Sequence, residues 1–286
     1  MASNTPGFRR CATHQPGTGD RKRIADFENA YLRNVPEAGL DVTILIAFIH
    51  ITNGDAGTVT AERRKLQVDA LNQAFNPLGV RFRFEEARTQ FVDSAAFFTM
   101  GHRSKAERQC KQQYRGLDPE DGLNFYTAGP GGGLLGWATF PFEREGDPDM
   151  DGVVILHSTL PGGDLEDFNL GITAVHEVGH WLGLYHTFQD GCFGEGDEVS
   201  DTPAHGGPNY GKPDDAGQPY NLCPSAPAGL ECPIHNYMNY CDDEWLREFT
   251  PGQRTRVFAQ LGMFRTKLLG GTQVEAAAEA GGRVAW

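Results

Sequence analysis

His176-Glu-Val-Gly-His-Trp-Leu-Gly-Leu-Tyr-His186 sets three imidazoles and one carboxylate at fixed spacing, with a glycine where a helix would have to end. His176 and His180 are four residues apart, so on a helix both rings leave one face and can reach a single metal ion. Glu177 lies on the adjacent flank, where its carboxylate can act as a base on a water at the metal without ligating the metal. Gly183 accepts the left-handed backbone that stops a helix, and that turn would bring His186 round as a third ligand. Three neutral nitrogens leave one position of a tetrahedral zinc open, as in catalytic rather than structural sites. A bare His-Glu-x-x-His arises by chance in a chain this long with a probability on the order of 0.01. Adding Gly183 and His186 lowers that to roughly one in a hundred thousand. The plainer alternative is a helix carrying surface histidines.

The 286 residues suffice for one large domain or for the two lobes of a cleft enzyme. A net charge of −13 argues against nucleic acid or an anionic membrane as partner. Hydrophobic content of 39% allows a real core, and the longest apolar run, residues 42–51, is strand-sized rather than membrane-sized. Residues 1–39 are polar and irregular and contain no apolar signal core.

Residues 40–50 are rich in β-branched side chains and predict a buried strand. The spacing of Leu66, Leu71, Ala74 and Phe75 predicts a helix over 61–75, stopped by Asn76-Pro77. Residues 80–84 alternate as a half-polar strand, 106–114 form a short helix, and 123–127 and 152–156 are further strands. The metal helix starts near Ile172. Strands alternating with helices up to that point indicate an α/β layer.

From Thr187 to Pro233 the chain turns dense in Gly, Pro and Asp, and such a segment needs staples or ions to be ordered. Cys192, Cys223, Cys232 and Cys241 offer staples. Asp197 and Asp201, with the carbonyl of Val199, could supply oxygen ligands to calcium, the alternative being a solvated acidic turn. Thr250 as N-cap and Pro251 at the first position predict a closing helix over 251–269, followed by a loose tail over 270–286.

These residues lead to a family. The eleven-residue run is similar to the long zinc signature of the metzincins, and Asn236-Tyr-Met-Asn-Tyr240 resembles their Met-turn. Leu123-Asn-Phe-Tyr126, Leu135-Gly-Trp-Ala-Thr-Phe-Pro141, Asp151-Gly-Val-Val154, Asp201-Thr-Pro203 and Phe249-Thr-Pro-Gly-Gln253 resemble the pappalysin family, including ulilysin-like enzymes and fungal secreted relatives. The likeness spans roughly residues 40–267. It implies an α/β (α+β) fold: a twisted, mostly parallel sheet with backing and active-site helices, plus an irregular, disulfide-stapled C-terminal lobe. Residues 1–39 would then be a pro-like segment. The catalytic domain would span 40–269, with an upper lobe over 40–186 and a lower lobe over 187–269.

The resemblance also implies roles. His176, His180 and His186 would bind zinc, Glu177 would be general base of a secreted endopeptidase, and Met238 would form an apolar floor below the metal. Tyr240 would steady the tetrahedral intermediate. Residues 134–140, with Leu134, Leu135, Gly136, Trp137 and Ala138, would be the edge strand against which an extended peptide pairs. Glu244 stands where ulilysin-like enzymes carry an acidic residue at the base of S1′, which would favour Arg or Lys at P1′. A surface glutamate is the alternative. Guided by the family, the late cysteines would pair as Cys192–Cys232 and Cys223–Cys241, although four cysteines allow three pairings and Trp245 stands where relatives carry one of theirs.

Arg9-Arg-Cys-Ala-Thr-His14 resembles an Arg-Cys-Gly-Thr segment near the family's N-terminus. Cys11 could hold the zinc and keep the enzyme latent, could pair with Cys110, or both could be free thiols. A switch would call for an activating cut, for which Leu32–Arg33 is suited. Protein or peptide substrates and a monomeric state complete the expectation. A zinc-stabilised binding module and a small-molecule amidohydrolase are the competing readings; the retained Glu177 speaks against the first and the edge strand against the second.

Overall fold

The computed structural model describes residues 9–14, 16–34, 41–213, 221–226 and 229–270. Its strands are β1 (Arg9–Cys11), β2 (Val42–Thr52), β3 (Val80–Phe84), β4 (Gln90–Asp93), β5 (Gly122–Ala128), β6 (Leu134–Ala138), β7 (Val153–Leu156), β8 (Tyr210–Gly211) and β9 (Tyr240–Cys241). Its α-helices are α1 (Thr18–Asn34), α2 (Ala61–Phe75), α3 (Ala95–Phe98), α4 (Lys105–Gln113), α5 (Pro141–Gly146), α6 (Ile172–Trp181) and α7 (Pro251–Phe264). The expected tail over 270–286, apart from Gly270, and the expected boundary near residue 39 lie outside the described residues.

Seven strands form one sheet in the order β1-β6-β7-β5-β2-β3, with β4 also pairing with β2. All pairs are parallel except β6 with β7, which run antiparallel. The unbroken apolar run of β2 has a simple cause: both sheet faces are covered. Ile44, Ile46 and Phe48 enter one apolar cluster with α2, α6 and α7, while Ala47, Ile49 and Ile51 enter a second one on the other face. The first cluster continues through Ile234, Met238, Leu246 and Val257, so the irregular lower stretch shares its core with the sheet.

Helix α2 covers the residues expected of it, and its N-cap Thr60 accepts from the Arg63 amide. Gly79 (φ 83°) turns the chain into β3. At α7, Thr250 accepts from the Gln253 amide while the Gln253 side chain returns to the Thr250 amide, with Pro251 in the first turn. That helix ends at Phe264 rather than 269, and a 3-10 turn follows over Thr266–Leu269. Between them the Arg265 guanidinium is drawn inward onto both oxygens of Asp151, at 2.7 and 3.0 Å.

The N-terminal segment departs from its expected irregularity. Residues 18–34 form a seventeen-residue helix. Ile24 is its fully buried anchor, Phe27 packs against the main apolar cluster, and polar contacts add to them: Glu28 accepts from Arg256 (3.0 Å) and Gln260 (2.8 Å), and Arg21 pairs with Glu198 (2.7 Å) and Asp190. The Leu32–Arg33 bond lies in the last turn of this helix.

Candidate active site

Helix α6 is entirely buried, and it ends where Gly183 (φ 97°) reverses the chain. A Cβ there would stand 2.3 Å from Gln260 Cγ, so both conformation and space demand glycine. The reversal carries His186 back, and the three rings converge: His180 Nε2 lies 3.2 Å from His176 Nε2 and 3.1 Å from His186 Nε2.

His176 Nδ1 lies 2.7 Å from the Tyr237 carbonyl and His180 Nδ1 2.7 Å from the Leu184 carbonyl. A carbonyl only accepts, so both Nδ1 atoms carry the proton and both Nε2 lone pairs point inward. Burial lowers all three imidazoles below their ordinary value, His180 to about 4, which keeps them neutral and able to ligate. Nitrogens about 2.05 Å from a tetrahedral zinc stand about 3.3 Å apart, so the observed spacing fits that ion. The Cys11 sulfur completes the group: one ligand atom each from Cys11, His176, His180 and His186 lie within 4.8 Å of one another.

Glu177 is fully buried beside them. Burial raises its carboxyl to about 8, and its Oε2 accepts from the Cys11 thiol (3.3 Å) and the Thr13 hydroxyl (2.9 Å). Its Oε1 has no hydrogen-bond partner among the described residues. Tyr240 places its hydroxyl 3.1 Å from His186 Nε2, and Met238 is fully buried beneath α6.

Strand β1 pairs with β6 in parallel, Cys11 opposite Gly136. A Cβ on Gly136 would approach Glu177 Cγ to 3.0 Å, so the edge strand runs directly against the carboxylate. Thr13 Oγ1 also accepts from the Ala138 amide (2.9 Å). Leu134 is partly buried and Leu135 fully. Trp137 faces away from the histidines, donating to Glu107 Oε1 at 2.6 Å on the far side of the sheet. Of these five residues, it is the main chain that faces a partner.

Several expected placements are corrected. Glu244 is exposed and paired with Lys212 at 2.6 Å, so it does not line the cleft. Its neighbour Asp243 is buried instead, with Oδ1 3.5 Å from the Arg10 guanidinium. Asp197 accepts from the Val199 amide (3.1 Å) and the Thr202 hydroxyl (2.7 Å), and the Val199 carbonyl accepts from that same hydroxyl (2.8 Å). Asp201 accepts from the Thr250 hydroxyl (2.6 Å) and the Gly252 amide (2.8 Å) at the start of α7. The oxygens expected to hold calcium are thus bonded to protein donors.

The disulfide is Cys192–Cys223 (Cα–Cα 5.4 Å), which excludes Cys192–Cys232 and Cys223–Cys241. The loops bearing the bonded pair are drawn together by hydrogen bonds from Gly206 N to Asn221 O and from Cys223 N to Ala204 O. Cys232 and Cys241 instead belong to the apolar cluster, Cys232 donating to Asn209 Oδ1 at 3.5 Å. Cys11 and Cys110 are not bridged either, Cys110 being buried on the far face of the sheet.

The residues missed by sequence reasoning are Arg10, Thr13, Asp243 and Phe168, whose ring centroid lies 4.4 Å from Arg10 Cζ. The first two stood in the Arg-Cys-x-Thr pattern already quoted for Cys11. Phe168 carried no local signal, and Asp243 was masked by acidic neighbours.

Together the buried imidazoles, the adjoining carboxylate and the edge strand define a metallopeptidase. A family model of M43 peptidases, described as pregnancy-associated plasma protein-A, matches residues 136–262. An extracellular metalloprotease of Sordaria macrospora is 38% identical over 254 residues, 85% of this chain and 84% of that one. One from Neurospora crassa is 42% identical over 212 residues, 73% of this chain and 70% of that one. A mutant of Tannerella forsythia promirolysin superposes with a TM-score of 0.77 at 23% identity, covering 94% of this chain and 100% of that one. Mature mirolysin in complex with a cleaved peptide gives 0.69 at 24%, covering 86% and 100%. The chain belongs to the pregnancy-associated plasma protein-A (M43) family of metalloendopeptidases.

Proposed function

We propose that this chain is a secreted zinc endopeptidase, described here in a latent form, that cuts peptides before a basic residue. The convergence of three imidazole nitrogens, the Cys11 sulfur and Glu177 carries this reading. Nε2 of His176, His180 and His186 would hold zinc, which would supply a Lewis acid able to polarise the peptide carbonyl and acidify a water. Glu177 takes a proton from the attacking water and hands it to the amide nitrogen as the C–N bond breaks. Tyr240 donates its hydroxyl hydrogen bond to the oxygen that gains charge. The extended substrate aligns along β6, as β1 does here.

Latency follows from residues 9–34. Cys11 would offer its sulfur as a fourth metal ligand on giving up the proton it now donates to Glu177, Thr13 also donates to Glu177, and β1 covers the edge strand. The likeness to promirolysin reaches further along this chain than that to mature mirolysin, 94% against 86%, which supports residues 1–39 as a pro-like segment ahead of a catalytic domain over 40–269. A basic P1′ preference rests on Asp243 rather than Glu244. Extracellular work suits relatives named extracellular metalloproteases and a chain with a disulfide.

The test compares the full chain, a chain starting at Arg33, and both with Glu177→Ala, on a denatured protein, with zinc measured in each. Zinc in all four and cleavage concentrated in the shortened wild type is the expected result. Cleavage surviving Glu177→Ala would remove the general base from the reading.

A further inference from the structure

We propose that Phe168 makes the pocket beside the metal choose arginine over lysine at P1′, its ring face receiving a flat guanidinium whose charge Asp243 balances. The inference rests on the P1′ reading above and assigns the discrimination to a residue outside the motifs.

The chain shows the pocket filled by a cation of its own. Arg10 is buried, with Cζ 4.4 Å from the centroid of the Phe168 ring and Nη2 3.5 Å from Asp243 Oδ1. At that separation the carboxylate and guanidinium attract by charge without forming a hydrogen bond, and neither Asp243 Oδ1 nor Arg10 Nε and Nη2 has a hydrogen-bond partner among the described residues. The pocket therefore holds this cation through one charge and one ring face, not through a two-pronged carboxylate clasp. Cation recognition of that kind favours arginine. A guanidinium is planar and weakly hydrated and stacks on an aromatic face, whereas an ammonium is compact and gives up a tighter hydration shell to enter a dry pocket.

The ring and the carboxylate are set by one piece of backbone stitching. Asp243 Oδ2 accepts from the amides of Leu170 (3.0 Å) and Ile172 (3.4 Å), and the Asp243 amide donates to the Asp167 carbonyl at 2.9 Å. Asp167 takes a left-handed backbone (φ 69°) immediately before Phe168. Binding Oδ2 to the segment that carries the ring leaves Oδ1 to face the cation. Arg10 precedes Cys11, so the pocket adjoins the metal on the Leu134 side of the edge strand, where β1 enters its pairing.

The experiment uses the full chain with Arg10→Ala and Cys11→Ala, which empties pocket and metal site together, and two peptides differing only as Arg or Lys at P1′. The Arg peptide should be favoured in kcat/KM by about tenfold, and Phe168→Leu should cut that ratio by about fivefold while Phe168→Tyr keeps it. An unchanged ratio in Phe168→Leu, with both peptides still cleaved, overturns the role of Phe168 and leaves the proposed function standing. Failure of both the opened chain and a chain starting at Arg33 to cleave either peptide strikes the proposed function itself. A second measurement needs no turnover: alkylation of Cys11 in the zinc-loaded full chain, followed by mass spectrometry. Arg10→Lys should speed it about fivefold beside Phe168 and leave it nearly unchanged in a Phe168→Leu background. Equal acceleration in both backgrounds overturns the proposal.

Discussion

Met238 and Gly179 are packed so closely that a Cβ on the glycine would stand 2.5 Å from the methionine sulfur. The turn that carries Met238 serves the site at two further points: the Tyr237 carbonyl accepts from His176, and the Tyr240 hydroxyl reaches His186. It is itself held by paired amides of Asn236 and Gln253 at 2.8 and 3.0 Å. Gly179→Ala should therefore push the turn and helix α6 apart, costing about 1–3 kcal/mol of stability. Urea unfolding reads the cost, and zinc content after dialysis reads the loosened histidines. A variant as stable and zinc-retentive as wild type would show the contact to be easily relieved.

Cys11→Ala in the full chain should raise peptidase activity by at least about tenfold, since the open position of a three-histidine zinc is what turnover requires. The initial rate on a quenched peptide is the measurement. Equal rates in wild type and variant would move latency away from the thiol and onto the covering strand.

Preference for a basic P1′ residue should weaken in acid. Burial raises the Asp243 carboxyl to about 6, and the Arg10 charge pulls it partly back. The carboxylate is charged above that value and neutral below it, so attraction for a P1′ cation fades as pH falls through about 6. Removing Arg10 takes away the lowering influence and should shift the midpoint upward. The ratio of kcat/KM for Arg and norleucine peptides from pH 5 to 8 checks this; a flat profile would separate the preference from Asp243.

Tyr240→Phe keeps the ring and deletes the hydroxyl. Loss of one donor to a developing oxyanion costs about a hundredfold in kcat. KM and zinc content should change little. A kcat within twofold of wild type would leave Tyr240 as packing alone.

Non-reducing peptide mapping should recover Cys192 with Cys223 in one linked fragment. That bond closes a loop of 31 residues, and breaking it should cost about 3–4 kcal/mol in the chain-entropy account. Recovery of Cys192 linked to Cys232 would restore the pairing first expected from the family.

The metal ligands were legible because they lie in eleven consecutive residues whose spacing only a helix and a turn can satisfy. Helix α2 was legible from its apolar spacing and the Asn76-Pro77 stop, and strand β3 from the alternation of residues 80–84; Thr60 and Gly79 fix their ends in the fold. Helix α1 was not. It presents Ile24 as its fully buried side chain, and Glu28 finds Arg256 across 228 residues, a contact no local pattern announces. The pocket was hidden for the same reason: Arg10, Phe168 and Asp243 meet only in the fold. Within Asp242-Asp243-Glu244, which carboxylate turns inward depends on the hydrogen bonds of the segment before α6. The disulfide was one of three arithmetical choices, and loop geometry made it.

Strand β1 has a meaning beyond inhibition. It is the outermost strand of the sheet, lying over β6. Its departure on maturation would bare a row of main-chain donors and acceptors, the kind of border along which proteins stick to one another. On the proposed reading, the border that would grip a substrate is also a liability for solubility, and strand β1 would keep it covered during folding and storage. Colloidal shelf life, and not only proteolytic restraint, should then be lost when residues 9–34 leave.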